Sequence, residues 1–128
     1  HRLSTFVAGS DVFAQRSTTG RSGTSSRTIA DEYMDEGFEL SRANNDRING
    51  AGEVLRLLGD QGHSRLFVFD RCTSLIECMP AMEHDPARPE DVLKVDVDED
   101  GNGGDDPYDC MRYGVMVNSA SSFVITYR

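Results

Sequence analysis

The sequence is poor in cysteine and lysine and has no long apolar run, and each shortage excludes a class of protein. Three cysteines without a Cys-x-x-Cys pair argue against a disulfide framework and favour a reducing compartment. Lys94 is the only lysine and follows Leu93, so a P-loop is absent and we expect no ATP site of that type. No apolar stretch approaches the roughly 18 residues of a membrane span, so we expect a soluble protein without a membrane partner.

The length of the chain sets the scale of the fold. At 128 residues it can form one domain with a substantial core and needs no disulfide or structural metal. We expect this domain to occupy residues 1–128, with 118–128 as an extra strand or a frayed end. Because the first residue is His1 rather than methionine, we also expect the chain to be a piece of a longer protein.

The negative charge is concentrated in one region. Residues 83–109 contain eleven acidic and two basic side chains, a balance of −9, which equals the net charge of the whole chain. The remaining residues therefore sum to zero. A protein that binds nucleic acid over its whole surface would be basic. A nuclease can still be locally acidic, because its metal-binding carboxylates cluster where the phosphate arrives.

Strand and helix patterns alternate along the chain. They predict strands at 3–8, 38–42 and 65–69, helices at 26–36, 46–58, 73–79 and 106–117, a mobile loop at 17–26 and a turn-rich connector at 85–90. In the second helix we expect Ile48, Val54, Leu55 and Leu58 to face the core. This order predicts an α/β domain with a substantially parallel sheet. Functional residues of such sheets lie at the carboxyl ends of strands, which is where Asp11 falls.

An acidic, glycine-rich segment precedes the last helix and has two interpretations. Asp96, Asp98, Asp100 and Gly101 match the first half of an EF-hand loop, which makes a calcium-binding module one alternative. The match fails at the twelfth position, where Pro107 cannot supply a carboxylate. The simpler interpretation is a solvated segment, or a weak cation site, that leads into the helix.

The end of this segment indicates a metal site of another kind. Asp106 before Pro107 is a suitable N-cap, and Asp109 favours the helix dipole, so helix formation alone explains these two acids. It does not explain Asp105. If the first strand and the last helix meet, Asp11, Asp105 and Asp106 converge, and such oxygen ligands suit Mg²⁺ or Mn²⁺.

Several stretches, taken in order, resemble the C-terminal nuclease region of the tailed-bacteriophage terminase large subunit, the motor that packages and cuts viral DNA. They are Gly-Ser-Asp at 9–11, Asn-Asp-Arg-Ile-Asn-Gly at 45–50, Leu-Phe-Val-Phe at 66–69 with Cys72, residues 84–92, and above all Asp-Asp-Pro-Tyr-Asp-Cys-Met-Arg-Tyr-Gly at 105–114. The resemblance implies an RNase H-like fold, incomplete here because its first strands are missing. It also implies a metal-dependent endonuclease of double-stranded DNA in the host-cell cytoplasm, with the portal protein and the small terminase subunit as further partners.

Two of the family's three catalytic acids have a matching residue in this sequence. Asp11 matches the second acid and Asp105 the third, with Asp106 as an adjacent candidate ligand. The resemblance implies hydrolysis assisted by two metal ions, with these residues as ligands. No acid stands in 1–8, where the family's first acid is expected. We therefore expect the isolated chain to be inactive, and a non-catalytic remnant that docks on DNA or packaging partners stays open.

Arginines flank the predicted mobile loop. Arg16, Arg21 and Arg27 are candidates for contacts to DNA phosphates, because arginine binds phosphate in a bidentate manner. The alternative is that they are solvated loop charges.

Overall fold

The computed structural model describes residues 6–20, 23–60 and 62–117, and it confirms the expected mixture of helices and strands. The chain divides into two compact units, residues 1–45 and 46–128. No helix in the described part of the chain is long and apolar enough to span a membrane. The predicted strand or frayed end at 118–128 lies outside the described residues.

Unit 1 contains a short parallel strand pair. Strand β1 (Phe6–Ala8) pairs with strand β4 (Leu40–Arg42), with Phe6 opposite Leu40. The Phe6 ring packs edge-on against the Phe38 ring at 5.4 Å between centroids. Both strands fall within predicted strands: β4 begins two residues later than predicted, and residues 3–5 of the predicted first strand lie outside the described residues. A 3₁₀ turn at Ser10–Phe13 follows β1 and carries Asp11.

The prediction of a mobile loop at 17–26 is wrong. Strand β2 (Arg16–Gly20) and strand β3 (Gly23–Arg27) form an antiparallel hairpin in which Arg16 lies opposite Arg27 and Gly20 opposite Gly23. Threonine is a good strand former and glycine permits tight chain reversal, so this composition suits a hairpin as well as a loop. The periodicity of apolar residues along the chain does not show which segments pair as strands.

Helix α1 (Ile29–Asp35) occupies the middle of the predicted 26–36 helix. It starts later than predicted because Thr28 caps it. The Thr28 hydroxyl accepts from the Asp31 N–H at 3.0 Å, and the Asp31 carboxylate accepts from the Thr28 N–H at 2.8 Å. This capping box satisfies two backbone donors that would otherwise lack partners.

Unit 2 is built around two helices whose limits follow the prediction. Helix α2 (Arg47–Leu58) begins after Asp46, whose carboxylate accepts from the Asn49 N–H at 3.0 Å, and ends at Gly59 with φ of 63°. Helix α4 (Asp106–Val117) has the predicted bounds and packs on α2. Between them lie helix α3 (Thr73–Cys78), a 3₁₀ turn at Met79–Ala81, and strands β5 (His84–Asp85) and β6 (Arg88–Val92).

The two short strands correct a further expectation. Residues 85–90 were predicted to be a turn-rich connector, but β5 and β6 form an antiparallel hairpin that packs against α2. Proline at position 89 is tolerated because a two-stranded pair consists only of edge strands.

The core of unit 2 lies between α2 and α4. Val54, Leu57, Tyr108 and Val115 are buried, and Met79, Met82 and Met111 pack around them. The predicted α2 face was therefore right for Val54 and wrong for Ile48, Leu55 and Leu58, which are 42%, 62% and 37% exposed. The buried face instead begins at Gly50 and Ala51, two small residues that hydrophobicity alone does not mark.

The strongest strand prediction, 65–69, is wrong. The N–H groups of Arg65 and Leu66 donate to the carbonyl of Leu57 at 2.7 and 3.1 Å, which holds this segment against the end of α2. No strand among residues 6–20, 23–60 and 62–117 pairs with it. The described strands form three separate pairs, and only β1 with β4 is parallel, so the expected extended parallel sheet is not found there.

Gly50 provides a test of the α2–α4 packing. An added Cβ at this position would lie 2.8 Å from Cγ and Cδ of Arg112, whereas nothing lies within 4 Å of a Cβ at Gly52. Gly50→Ala should lower the free energy of unfolding, because overpacking costs about 1–3 kcal/mol and exceeds the helix-propensity gain of about 1 kcal/mol. Gly52→Ala should raise it by up to about 1 kcal/mol. Urea unfolding measures both, and equal stabilities for the two variants would contradict this packing.

Candidate functional site

The acidic segment before α4 is a tight, hydrogen-bonded turn. The Asp98 carboxylate accepts from the N–H groups of Asp100 and Asn102 at 3.0 and 2.7 Å. Val97 forms a bridge with Gly103, and the Asp105 N–H donates to the Val95 carbonyl at 3.0 Å. The turn therefore reverses the chain. Asp105, which follows the glycines, lies beside Val95 and next to Lys94.

Lys94 joins two buried carboxylates at the start of α4. Its Nζ lies 3.1 Å from both Oδ1 and Oδ2 of Asp105 and 2.9 Å from Oδ2 of Asp109. Only Oδ1 of Asp105 receives a hydrogen bond in favourable geometry, and Oδ2 is buried without a hydrogen-bond partner among the described residues. The side chains of Asp105 and Asp109 are 4% and 11% exposed, while that of Lys94 is 59% exposed.

The two oxygens of Asp109 have different partners. Oδ2 faces Lys94, while Oδ1 accepts from Nε and Nη2 of Arg112 at 3.3 and 3.1 Å. Nη1 of Arg47 lies 3.6 Å from the same Oδ1. Asp109 thus connects the exposed Lys94 on one side with buried Arg112 and half-buried Arg47 on the other.

Arg47 extends this cluster to β6. Its Nε donates to Oδ1 and Oδ2 of Asp91 at 3.2 and 3.1 Å, and its Nη2 donates to the Val92 carbonyl at 2.9 Å. We call the six side chains Arg47, Asp91, Lys94, Asp105, Asp109 and Arg112 the charge cluster. Its three carboxylates and three cations sum to zero formal charge.

The pKa values of the cluster follow from this pairing. Burial alone would raise the pKa of Asp109, but hydrogen bonds from Lys94 and Arg112 outweigh it and hold that pKa below its ordinary value. Burial likewise opposes ionisation of Asp91, and the hydrogen bond from Arg47 lowers the pKa of its carboxyl. For Lys94, desolvation is outweighed by Asp109 and Asp105, and its pKa is raised. Asp91, Lys94 and Asp109 therefore keep their charges at neutral pH.

The predicted site acids lie in different surroundings. Asp105 is 3% exposed and immediately precedes α4. Asp106 is the first residue of α4 and is exposed, and it makes no hydrogen bond or ion pair in the part of the chain described. Asp11 is exposed and belongs to unit 1, where its carbonyl accepts from the Ala14 N–H at 3.1 Å.

Two of the three arginines proposed for DNA contact, Arg16 and Arg27, are exposed cross-strand partners of the β2–β3 pair. Arg27 donates a hydrogen bond to the Asp35 carboxylate, and this ion pair raises the pKa of Arg27. Arg21 lies outside the described residues. Like charges directly opposite one another destabilise a strand pair, and an anion beside them relieves this repulsion.

The cluster fits a divalent cation in part. Carboxylate oxygens are the ligands that Mg²⁺ and Mn²⁺ prefer, but both oxygens of Asp105 already lie 3.1 Å from Nζ of Lys94. Within residues 6–20, 23–60 and 62–117, however, no group of three or more His, Cys, Asp or Glu side chains could hold a metal ion. That includes Asp96, Asp98 and Asp100 of the calcium alternative.

An apolar groove lies on another face of unit 2. It has a volume of about 450 Å³ and is lined by residues 66–69 and by parts of α3 and α4, including Leu75 and Met111. Phe67 is 69% exposed at this groove. Exposed apolar surface of this kind is typical of a contact site for another protein.

Comparison with protein-family models, with curated proteins and with solved structures finds no match to the chain. The interpretation of fold and function therefore rests on the residues and contacts of this chain.

Sequence reasoning missed Lys94, Asp109, Arg112, Arg47 and Asp91 as members of one cluster. Two local signals were present: Asp105 and Asp109 are four residues apart, and Asp109 and Arg112 three apart, both on the same side of a helix. The contacts of Lys94 and Arg47 depend on chain reversal and on hairpin packing. No residue spacing in the sequence predicts these contacts.

Acid titration tests the role of Asp109. A carboxylate whose pKa is lowered on folding adds stability above its unfolded pKa, about 3.9, and this stability is lost as the pH falls through the folded pKa. Asp109→Asn should reduce the free energy of unfolding at pH 7 by about 2–4 kcal/mol, since it weakens a partly buried ion network. The difference from the wild type should shrink below about pH 4.

Asp106→Asn is the matched control, because it makes the same change three residues away on an exposed side chain. It should change stability by less than about 1 kcal/mol, the size of a helix-dipole contribution. Chemical denaturation between pH 7 and pH 2 measures all three proteins. A difference between Asp109→Asn and wild type that is the same at every pH would contradict this account.

Proposed function

We propose that the chain is part of the nuclease region of a tailed-bacteriophage terminase large subunit, with an RNase H-like fold. The proposed activity is metal-dependent hydrolysis of phosphodiester bonds in double-stranded DNA. One observation carries the proposal. Three of the stretches that resemble the family, 45–50, 84–92 and 105–114, supply members of the charge cluster, namely Arg47, Asp91 and the acids of α4. Stretches that are far apart in the sequence thus meet at one group of acids.

The proposed ligands are Asp11 and Asp105, with Asp106 as an adjacent candidate. Bound Mg²⁺ or Mn²⁺ would supply a Lewis acid and an activated water for hydrolysis. The protein's own part is to hold the carboxylates in place. Arg112 supports this part because it is 1% exposed and fixes Asp109, and with it the first turn of α4.

A plasmid-nicking assay tests the proposal. In Mn²⁺ or Mg²⁺ the proposed nuclease region that includes this chain should convert supercoiled plasmid to open circles, and Asp11→Ala or Asp105→Ala within it should abolish the conversion. Asp70→Asn removes an exposed carboxylate of unit 2 outside the cluster and should retain it. Nicking that persists in EDTA or in both alanine variants would rule out these residues as ligands.

A second candidate, a non-catalytic remnant that docks on packaging partners, is favoured by two observations. The carboxylates of Asp105 and Asp109 are already neutralised by Lys94, and the apolar groove beside α4 suits a protein partner better than DNA. A folded chain that binds DNA or a packaging protein without nicking would support this second function.

The hairpin arginines give the DNA-binding part of the proposal its own test. Each phosphate contact contributes about 0.9 to the slope of log affinity against log salt concentration. Replacing Arg16, Arg21 and Arg27 together with alanine should therefore reduce this slope by about two to three units. Arg56→Ala is the control, because Arg56 is an exposed arginine of unit 2 that pairs with Glu53 at 2.7 Å. Fluorescence anisotropy with duplex DNA measures the slopes, and equal slopes for the triple variant and wild type would exclude the contact.

A further inference from the structure

We infer that segment 118–128, which follows α4 in the sequence, covers the apolar groove of unit 2, with Phe123, Ile125 and Tyr127 turned into it. The segment lies outside the described residues, and the groove is lined by residues 66–69 and by parts of α3 and α4. The inference concerns another face of unit 2 than the charge cluster and does not depend on the proposed nuclease activity.

The groove presents apolar side chains to water. Phe67 is 69% exposed and Val68 is 39% exposed, and Leu75 and Met111 line the same groove. Its volume of about 450 Å³ lies within the range of about 300–1,000 Å³ that holds a small ligand or a few side chains. A groove of this size fits a short peptide segment better than the broad surface of a folded protein.

Segment 66–69 also offers unpaired backbone groups. Its Leu-Phe-Val-Phe sequence is typical of a strand, yet no strand among residues 6–20, 23–60 and 62–117 pairs with it. Phe67 and Val68 form no backbone hydrogen bond with any residue of these ranges. Unpaired N–H and C=O groups on a strand-forming segment are satisfied when a second strand adds to it.

Segment 118–128 carries a sequence that suits this position. Residues 123–127 are Phe-Val-Ile-Thr-Tyr, all of them β-branched or aromatic, which are the residue types that favour strands. Alternate side chains of a strand point to the same face, so Phe123, Ile125 and Tyr127 form one apolar face. No charged residue occurs between 118 and 127, so burial of this stretch removes no charge from water. Left in water, a stretch of this kind would favour aggregation.

The connection is long enough for the segment to reach the groove. Residues 110 and 117 are seven residues apart on α4, which is about 10 Å at a rise of about 1.5 Å per residue. The small residues Asn-Ser-Ala-Ser-Ser at 118–122 span up to about 17 Å when extended. They can therefore bring residue 123 back to the level of Cys110, which lines the groove. Any protein partner of this groove would first have to displace the segment.

Two cysteines at the groove report whether it is covered. Cys72 and Cys110 line it, whereas Cys78 lines a different cavity and serves as an internal reference. Alkylation by N-ethylmaleimide is followed at each cysteine by mass spectrometry. At Cys110 it should be about tenfold or more faster in Phe123→Asp/Ile125→Asp than in the wild type, because burial of one large apolar side chain already shifts an equilibrium by that factor. The rate at Cys78 should stay within about twofold.

Val124→Asp/Thr126→Asp is the matched control, because it introduces the same two charges on the opposite face of the same stretch. It should change the alkylation rate of Cys110 by less than about threefold. Circular dichroism checks the fold of each protein. Equal rates at Cys110 in the wild type and in Phe123→Asp/Ile125→Asp would overturn the inference, as would a control variant that reacts as fast as Phe123→Asp/Ile125→Asp.

A synthetic peptide of residues 118–128 tests the groove directly and distinguishes its occupants. At about 1 mM, the effective concentration of a short tether, it should slow alkylation of Cys110 in Phe123→Asp/Ile125→Asp toward the wild-type rate. The peptide that carries the same two changes should not. The wild-type rate should be independent of protein concentration, because the segment belongs to the same chain. Protection that rises with concentration would assign the groove to a second copy and overturn the inference, as would failure of the peptide to restore protection.

Discussion

The ion pair between buried Arg112 and Asp109 is the interaction on which unit 2 most depends. Asp109 is placed so that one oxygen meets Lys94 and the other meets Arg112, and this division ties the turn before α4 to the buried side of the helix. Buried charges are tolerated only when paired, so the burial of Arg112 requires Asp109 to remain ionised. On α2, Gly50 leaves room for the Arg112 side chain, because an added Cβ at this position would lie 2.8 Å from Cγ and Cδ of Arg112.

This constraint links the packing of unit 2 to its candidate chemistry. Buried Arg112 pairs with Asp109, while Lys94, which faces solvent, pairs with both Asp109 and Asp105. Asp105, the proposed metal ligand, therefore belongs to the same ion network that holds the start of α4.

The parts of the fold that depend on neighbouring residues could be predicted, and those that depend on distant pairing could not. Helix α2 has its own cap at Asp46, and local sequence was enough to predict the bounds of both α2 and α4. The hairpins at 16–27 and 84–92 and the irregular segment 65–69 depend on which distant backbone groups meet. Asp105 stood out because two glycines precede it, but its partner Lys94 is found only once the turn brings residue 105 beside residue 95.

A double-mutant cycle between Asp109 and Arg112 would test the central claim most directly. The account predicts that Asp109→Asn and Arg112→Met are coupled, so that the double variant loses less free energy of unfolding than the sum of the two single losses, by at least about 0.5 kcal/mol. Losses that simply add would contradict it.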